Sequence, residues 1–198
     1  VLLRNGRLRD AVRLGNFVLK LWGTSDKTQF NMMYEVGSGL VMDTISASRA
    51  WLRGRSVLYA VKPDKERQHF YATGLASALL SELYAATGDK SYLIASAELL
   101  HFDMVKCSWK GGAKQWPSKC KVAWGTACLL CFGGKELGGT PLTAKALREH
   151  SDAVTTFCFL KNQVPSGHFG VYHFPLADTV VEKLPAGMIH WTDEEAQA

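Results

Sequence analysis

Apolar residues recur along this chain at intervals of three and four positions, the spacing of one face of an α-helix. Residues 7–22 carry their apolar side chains largely on one side and precede Gly23, so they predict an amphipathic helix that ends at this glycine. Residues 70–87 are apolar nearly all round and rich in small side chains, which predicts a helix packed between others. The same periodicity predicts further helices over residues 90–106, 122–132 and 141–161.

Strand signals are few in this sequence. Residues 56–61 and 169–174 are the two short extended candidates. Thr140 and Pro141 have the residue types favoured at the N-cap and the first position of the last long helix. We therefore predict an all-α chain that forms a single domain over residues 1–198, with a flexible tail from about residue 185.

Long aromatic loops follow three of the predicted helices, over residues 30–43, 107–121 and 162–175. The turns on the opposite side are short, as at Gly88 and Asp89. Helical hairpins arranged in a ring would place the long loops together on one rim. A pocket would be built there, so we look for functional residues on this rim.

Two segments resemble motifs of known proteins. Residues 83–93 (LYAATGDKSYL) resemble the LYxATGDxxYL hairpin turn of α/α-toroid and α/α-barrel proteins, among them sugar epimerases, unsaturated glycoside hydrolases and terpenoid-cyclase-like proteins. Residues 159–170 (FLKNQVPSGHFG) resemble the FLxxQxxxGxFG element of the terpenoid cyclase/protein prenyltransferase toroid. The resemblance implies an α/α toroid, which is a ring of helical hairpins.

The chain also departs from these families. It has no DxDD or DDxxD acidic motif and no set of residues that matches the prenyltransferase zinc ligands. Six hairpins of roughly 45 to 55 residues each would exceed a chain of 198 residues. We therefore expect that the ring is partial, that residues are missing, or that a partner completes it.

Composition narrows the choice of partners and compartment. The net charge of +5 is small and is intermixed with acids, which argues against nucleic acid as a partner. No apolar run reaches the roughly 18 to 20 residues that a membrane span needs. Five cysteines, an odd number without a dense framework, fit a reducing compartment, so we predict a cytoplasmic protein.

Candidates for proton transfer are the ionisable side chains of the predicted rim. Histidine titrates near neutral pH, and we predict catalytic roles for His69, His168 and His173, together with the carboxylate of Asp43. Asp103, one turn before the second long loop, is a further carboxylate on this rim. The alternative interpretation is that these residues are hydrogen-bonded loop histidines, helix caps and turn residues.

Aromatic residues are the most distinctive feature of the rim. Stacked aromatic faces suit a sugar ring or an isoprenoid-like hydrocarbon and stabilise a developing cation. Alternatively, they anchor the loops to the helices, and a lysine beside them is a solvated side chain. The predicted substrate-binding residues are Tyr34, Tyr71, Trp116, Lys121, Trp124 and Tyr172.

The remaining cysteine and histidine residues that we considered are better explained by packing than by a catalytic or metal-binding role. Cys128 and Cys131 lie in an apolar helix without a second CxxC pair, so we interpret them as small buried side chains. His101 and His150 fall inside predicted helices and are interpreted as packing or surface residues. We predict neither a metal site nor a cofactor.

These features predict a metal-independent cyclase or isomerase that acts on a small hydrophobic, terpenoid- or polyketide-like substrate in an aromatic-lined cavity. One alternative is a carbohydrate-active α/α barrel, either an unsaturated glycoside hydrolase or a sugar epimerase. The other is a non-catalytic helical-repeat scaffold whose aromatic rim binds a protein or peptide. A homo-oligomer is compatible with each of the three.

Overall fold

Helices dominate the part of the chain that the computed structural model describes, namely residues 3, 5–24, 27–32, 60–64, 68–107 and 116–156. A π-helical turn, Phe102–Lys106, continues the helix that ends at His101. Two short strands, β1 (Phe30–Asn31) and β2 (Ala60–Val61), pair antiparallel with Phe30 opposite Val61. The described residues therefore form an all-α structure, as predicted. Its helices are α1 (Leu8–Gly23), α2 (Tyr71–Thr87), α3 (Lys90–His101), α4 (Trp116–Gly133) and α5 (Ala144–Thr155).

A two-residue turn joins α2 to α3. Gly88 adopts the left-handed conformation at φ 74°, and its N–H donates to the carbonyl oxygen of Tyr84 at 2.8 Å. Asp89 then caps α3, because its Oδ1 accepts the N–H of Ser91 at 2.9 Å. Residues 83–93 thus form the tight helix–turn–helix that the hairpin motif predicts.

The helices alternate in direction. α2 and α4 run parallel: Gly74 packs on the backbone of Lys121 near their N-terminal ends, and Tyr84 lies near Glu136 at their C-terminal ends. α3 runs back along α2. α1 lies parallel to α3, since Tyr92 donates to Asn16 at 2.8 Å and Trp22 donates to Glu98 at 2.9 Å. α5 returns along α4 and brings His150 beside Thr126.

The core is centred on α2, which contacts α1, α3 and α4. Its apolar character on nearly every side agrees with this central position. At the end of α1, the ring of Trp22 meets Phe102 edge-on with centroids 5.6 Å apart. The largest side chains that are fully buried in the core include Phe70, Leu80, Leu83, Leu93, Leu99, Leu100, Phe102, Leu129 and Leu147.

A polar seam runs through this apolar core between α2 and α3. The hydroxyl of Ser96 lies 2.7 Å from that of Ser77 and 2.8 Å from that of Ser81. Farther toward the start of α2, Thr73 bonds to Asp103 of the π-helical turn. All five side chains are buried, so the hydrogen bonds of the four hydroxyl groups replace those that water would make.

Two helix starts differ from the prediction. α4 begins at Trp116 rather than at residue 122, because Pro117 is tolerated in a first helical turn that lacks hydrogen-bonded N–H groups. α5 begins at Ala144, and its N-cap is Thr143, whose Oγ1 accepts the N–H of Ala146 at 3.1 Å. Thr140, the predicted cap, instead donates to the carbonyl oxygen of Leu137 at 2.8 Å in the preceding turn.

Two further comparisons concern strands and helix length. Of the strand predicted over 56–61, residues 60–61 are extended and the others lie outside the described residues, as does the predicted strand 169–174. Within the described ranges, no helix has the length and apolar character that crossing a bilayer demands.

Candidate functional site

The N-terminal ends of α2 and α4 lie at one end of the helix bundle together with the π-helical turn that follows α3. Gly74 contacts the backbone of Lys121, and Thr73 lies 2.6 Å from Asp103, which brings these three elements together. The short turn at residues 88–89 lies at the opposite end. We call the first of these two ends the rim.

His69 and Tyr71 form a hydrogen-bonded pair at the rim. The distance from His69 Nδ1 to Tyr71 Oη is 2.8 Å, and the two rings lie 5.2 Å apart at 43°. The phenol donates when Nδ1 is unprotonated, and the roles reverse when Nδ1 carries a proton. Tyr71 is 36% exposed, so the phenol of this pair is accessible from outside the protein.

The turn that carries this pair alternates buried and outward-facing residues. Gln68 and Phe70 are buried, and Gln68 Oε1 accepts the N–H of Lys62 at 3.1 Å just after β2. Ala72 donates its N–H to the carbonyl oxygen of His69 at 2.9 Å, which begins the helix. The alternation turns His69 and Tyr71 to the same outer side, where they meet.

Beside the pair lies an exposed, mainly apolar surface on the side of α2 and α4 that faces away from α3. Thr73, Ser77 and Ser81 of α2 face α3, and residues on the opposite side of the helix are exposed, as expected from 100° per residue. On α4, Gly133 packs on Leu93 of α3, and the residues on the opposite side of α4 are exposed as well. We call this surface the open face; it comprises Tyr71, Leu75, Lys121, Trp124 and Cys131.

The open face exposes two large apolar side chains. Leu75 is 37% exposed and Trp124 is 47% exposed. Contiguous exposed apolar side chains on a protein surface mark places where a ligand or a partner binds. The phenol of Tyr71 belongs both to this surface and to the pair with His69.

Four predicted site residues have described side chains. His69 and Tyr71 are in direct contact, and Lys121 and Trp124 lie within one turn of each other on α4. Trp116 begins α4, but its side chain lies outside the described part. The other predicted residues, Asp43, His168, His173, Tyr34 and Tyr172, lie outside the described residues altogether.

The structure adds one residue, Leu75, that the sequence did not single out, and it changes the setting of two that were predicted. Tyr71 was predicted as an aromatic wall, yet it also bonds to His69. Leu75 extends the open face by one turn. Asp103 was predicted on the rim, but its side chain is fully buried against Thr73. A period of four residues in an exposed apolar stripe is the signal that could have indicated Leu75.

The structure corrects the prediction that Cys128 and Cys131 are both buried. Cys128 is buried, whereas Cys131 is exposed because it lies on the open face. Cys107 and Cys120 do not form a disulfide with each other. The pKa of the Cys107 thiol is raised by burial and by the nearby Asp103 carboxylate, so this thiol stays protonated at neutral pH.

His101 and His150 lie in helices, as predicted. His150 lies against Thr126, with Nδ1 and Oγ1 3.2 Å apart, and its pKa is lowered by burial and secondarily by Lys119. Among the described side chains, no group of three or more His, Cys, Asp or Glu residues is arranged to hold a metal ion.

The sequence matches no protein-family model, and no curated protein and no solved structure matches it significantly.

Proposed function

We propose that the open face is the substrate-binding wall of a cyclase or isomerase that acts on a small hydrophobic, terpenoid- or polyketide-like molecule. In this proposal, His69 and Tyr71 form the proton-transfer group. The observation that carries the proposal is the 2.8 Å contact between His69 Nδ1 and Tyr71 Oη at the edge of an exposed apolar surface. A titratable group beside an apolar wall is the arrangement that such a reaction requires.

The proposed framework is an α/α toroid. Parallel α2 and α4, with α1, α3 and α5 running the other way, are the arrangement that successive helical hairpins produce. The turn at Gly88 and Asp89 has the geometry that the hairpin motif implies. In such a ring the open face would line the interior, because it lies on the side of α2 and α4 that is opposite α3.

Each residue has a distinct role in the proposed site. Leu75 and Trp124 bury apolar substrate surface, at about 25 cal/mol for each Å² removed from water. The ring faces of Tyr71 and Trp124 stabilise a positive charge that develops on the substrate. Lys121 binds an oxygen of the substrate. His69 takes up or returns a proton, and its hydrogen bond to Tyr71 keeps the imidazole oriented.

Binding measurements on variants of the open face test the first part of the proposal. Compounds of the isoprenoid and polyketide classes would be screened by native mass spectrometry and ranked by titration calorimetry. We expect L75A and W124A each to weaken binding about tenfold, because each removes buried apolar contact. I94A is the matched control, since Ile94 is 45% exposed on the outer side of α3. Equal binding by all three variants and the wild type would exclude the open face as the binding wall.

Turnover of a bound compound tests the second part. We expect H69Q and Y71F to bind the compound normally and to turn it over about 100-fold more slowly, because general acid–base catalysis contributes on that order. H101Q is the control, because His101 lies in α3 away from the open face. Unchanged turnover in H69Q and Y71F would remove the pair from the mechanism.

A non-catalytic scaffold is the second candidate, and the 47% exposure of Trp124 favours it. A protein partner would cover this indole more fully than a small molecule does. If W124A abolished the binding of one identified protein, while native mass spectrometry found no small molecule on the open face, the scaffold would replace the enzyme.

A further inference from the structure

The turn that carries the His69–Tyr71 pair rests on two fully buried polar side chains. Thr73 Oγ1 lies 2.7 Å from the carbonyl oxygen of Phe70 and 2.6 Å from Asp103 Oδ2. Phe70, Thr73 and Asp103 are all 0% exposed. The Thr73 hydroxyl has one hydrogen, so both contacts are hydrogen bonds when it donates to the Phe70 carbonyl and the protonated carboxyl of Asp103 donates to Oγ1. In this form the hydroxyl links the π-helical turn after α3 to the backbone between His69 and Tyr71.

The carbonyl of Phe70 belongs to the same peptide unit as the N–H of Tyr71. Because a peptide unit is planar, an oxygen that is held in place fixes the orientation of the whole unit and the direction in which Tyr71 leaves it. The preceding carbonyl, that of His69, is held by the N–H of Ala72 at 2.9 Å. Both backbone groups that aim the pair are therefore fixed.

We infer that Thr73 and Asp103 are positioning residues, which hold the Phe70–Tyr71 peptide unit and thereby the contact between His69 Nδ1 and Tyr71 Oη. Neither residue touches a substrate, since both are fully buried beneath the turn. The effect on turnover rests on the function proposed above, whereas the effect on the His69–Tyr71 contact does not.

The same seam supplies a matched control. Ser81 is as deeply buried as Thr73 and bonds to Ser96 at 2.8 Å. The hydroxyl of Ser96 in turn donates to the carbonyl oxygen of Ser77 at 3.0 Å. This serine cluster lies farther along α2, so loss of the Ser81 hydroxyl weakens the same helix interface without touching the Phe70 carbonyl.

The test compares two pairs of variants with this control. T73V removes the hydroxyl at nearly constant shape, and T73S restores it. D103L removes the carboxyl group, and D103N keeps a donor, its amide N–H, within reach of Thr73 Oγ1. The readout is the NMR signal of the His69 imidazole, above all the ¹⁵N shift of Nδ1, which reports its hydrogen bond; H69Q assigns this signal.

We expect T73V and D103L to displace the Nδ1 signal, and T73S, D103N and S81A to leave it at the wild-type position. If T73V does not fold, D103L against D103N decides the question. A wild-type Nδ1 signal in every folded variant that lacks the Thr73 hydroxyl or the Asp103 carboxylate would overturn the inference.

Turnover separates this inference from the proposed function. With a compound that the wild type converts, we expect T73V to lower kcat about tenfold at unchanged KM, and T73S to rescue it. A general loss of stability would instead affect S81A to the same degree. A displaced Nδ1 signal in a protein that converts no compound would leave the positioning role intact and contradict only the proposed function.

Discussion

Gly74 and Gly125 bring α2 and α4 together backbone against backbone. A β-carbon on Gly125 would lie 2.6 Å from the carbonyl oxygen of Gly74 and 3.2 Å from its α-carbon. A β-carbon on Gly74 would meet the carbonyl group of Lys121 and the nitrogen of Val122. These neighbours are main-chain atoms, so they cannot turn aside as a side chain does.

This contact predicts a large cost for a single methyl group. We expect G125A and G74A each to lower the free energy of unfolding by about 3 kcal/mol, because the helices must separate to admit the methyl group. Urea unfolding followed by circular dichroism measures the change. G23A is the control: a β-carbon there meets no atom within 4 Å, and its stability should equal or exceed that of the wild type. A wild-type midpoint for G125A would show that the two helices do not meet at these glycines.

The cap of α3 predicts a dependence on acid. Hydrogen bonds from Ser91 lower the pKa of Asp89, so its carboxylate favours the folded state above the unfolded pKa, and this contribution is lost as the pH falls through the lower, folded pKa. D89A should therefore melt at a lower temperature than the wild type at pH 7, and the difference should shrink toward pH 3. D89S, which keeps a capping oxygen, should retain most of the stability at pH 7. Equal melting of D89A and the wild type at pH 7 would contradict the cap.

His150 predicts a second pH effect in a different range. Burial lowers its pKa in the folded protein below the ordinary value of 6.5, and Lys119 of α4 adds to this effect. The unfolded chain therefore takes up a proton at His150 first, and stability declines as the pH falls below about 6.5. In H150Q the amide can still bond to Thr126, and the decline between pH 7 and 5 should be smaller. Chemical unfolding at several pH values measures it, and parallel curves for H150Q and the wild type would rule it out.

Glu98 of α3 anchors the end of α1 and the chain that follows it. Its Oε2 accepts the indole N–H of Trp22 at 2.9 Å, and its Oε1 pairs with Lys27 at 2.6 Å. We expect E98A to cost about 2 kcal/mol, because a part-buried indole N–H loses a charged acceptor. K27A should cost less than about 1 kcal/mol, since the Lys27 side chain is 52% exposed. Urea unfolding of both variants tests this order, and a larger loss in K27A than in E98A would reverse the assignment.

The helices were largely predictable because each has a strong local signal. Residues 70–87 and 90–106 were placed within a residue of α2 and of α3 with its π-helical turn. The start of α5 was not, because Thr140 and Thr143 are both good caps, and tertiary structure uses Thr140 in a turn to Leu137. The small residues of α2 predicted close packing. Which residue meets Gly125 depends on the relative placement of two helices, which neither helix encodes alone.

The candidate site was likewise predictable only in part. His69 and Tyr71 are close in sequence, and a rim position was predicted for both; their hydrogen bond required the backbone alternation at residues 68–71. Thr73 and Asp103 are 30 residues apart, and nothing in either local segment indicates the other. From the sequence alone, a carboxylate near a helix end is expected at the surface. The packing of α2 on α3 is what buries Asp103.

The two-residue turn at Gly88 and Asp89 also bears on the order in which the molecule assembles. Contacts between α2 and α3 join residues only 15 to 30 positions apart, whereas the bonds from α1 to α3 span 76. Closing a short loop costs less chain entropy, and local contacts form sooner. We therefore expect the α2–α3 hairpin to form first, with Leu83 and Tyr92 in place as the surface on which Gly15 of α1 docks.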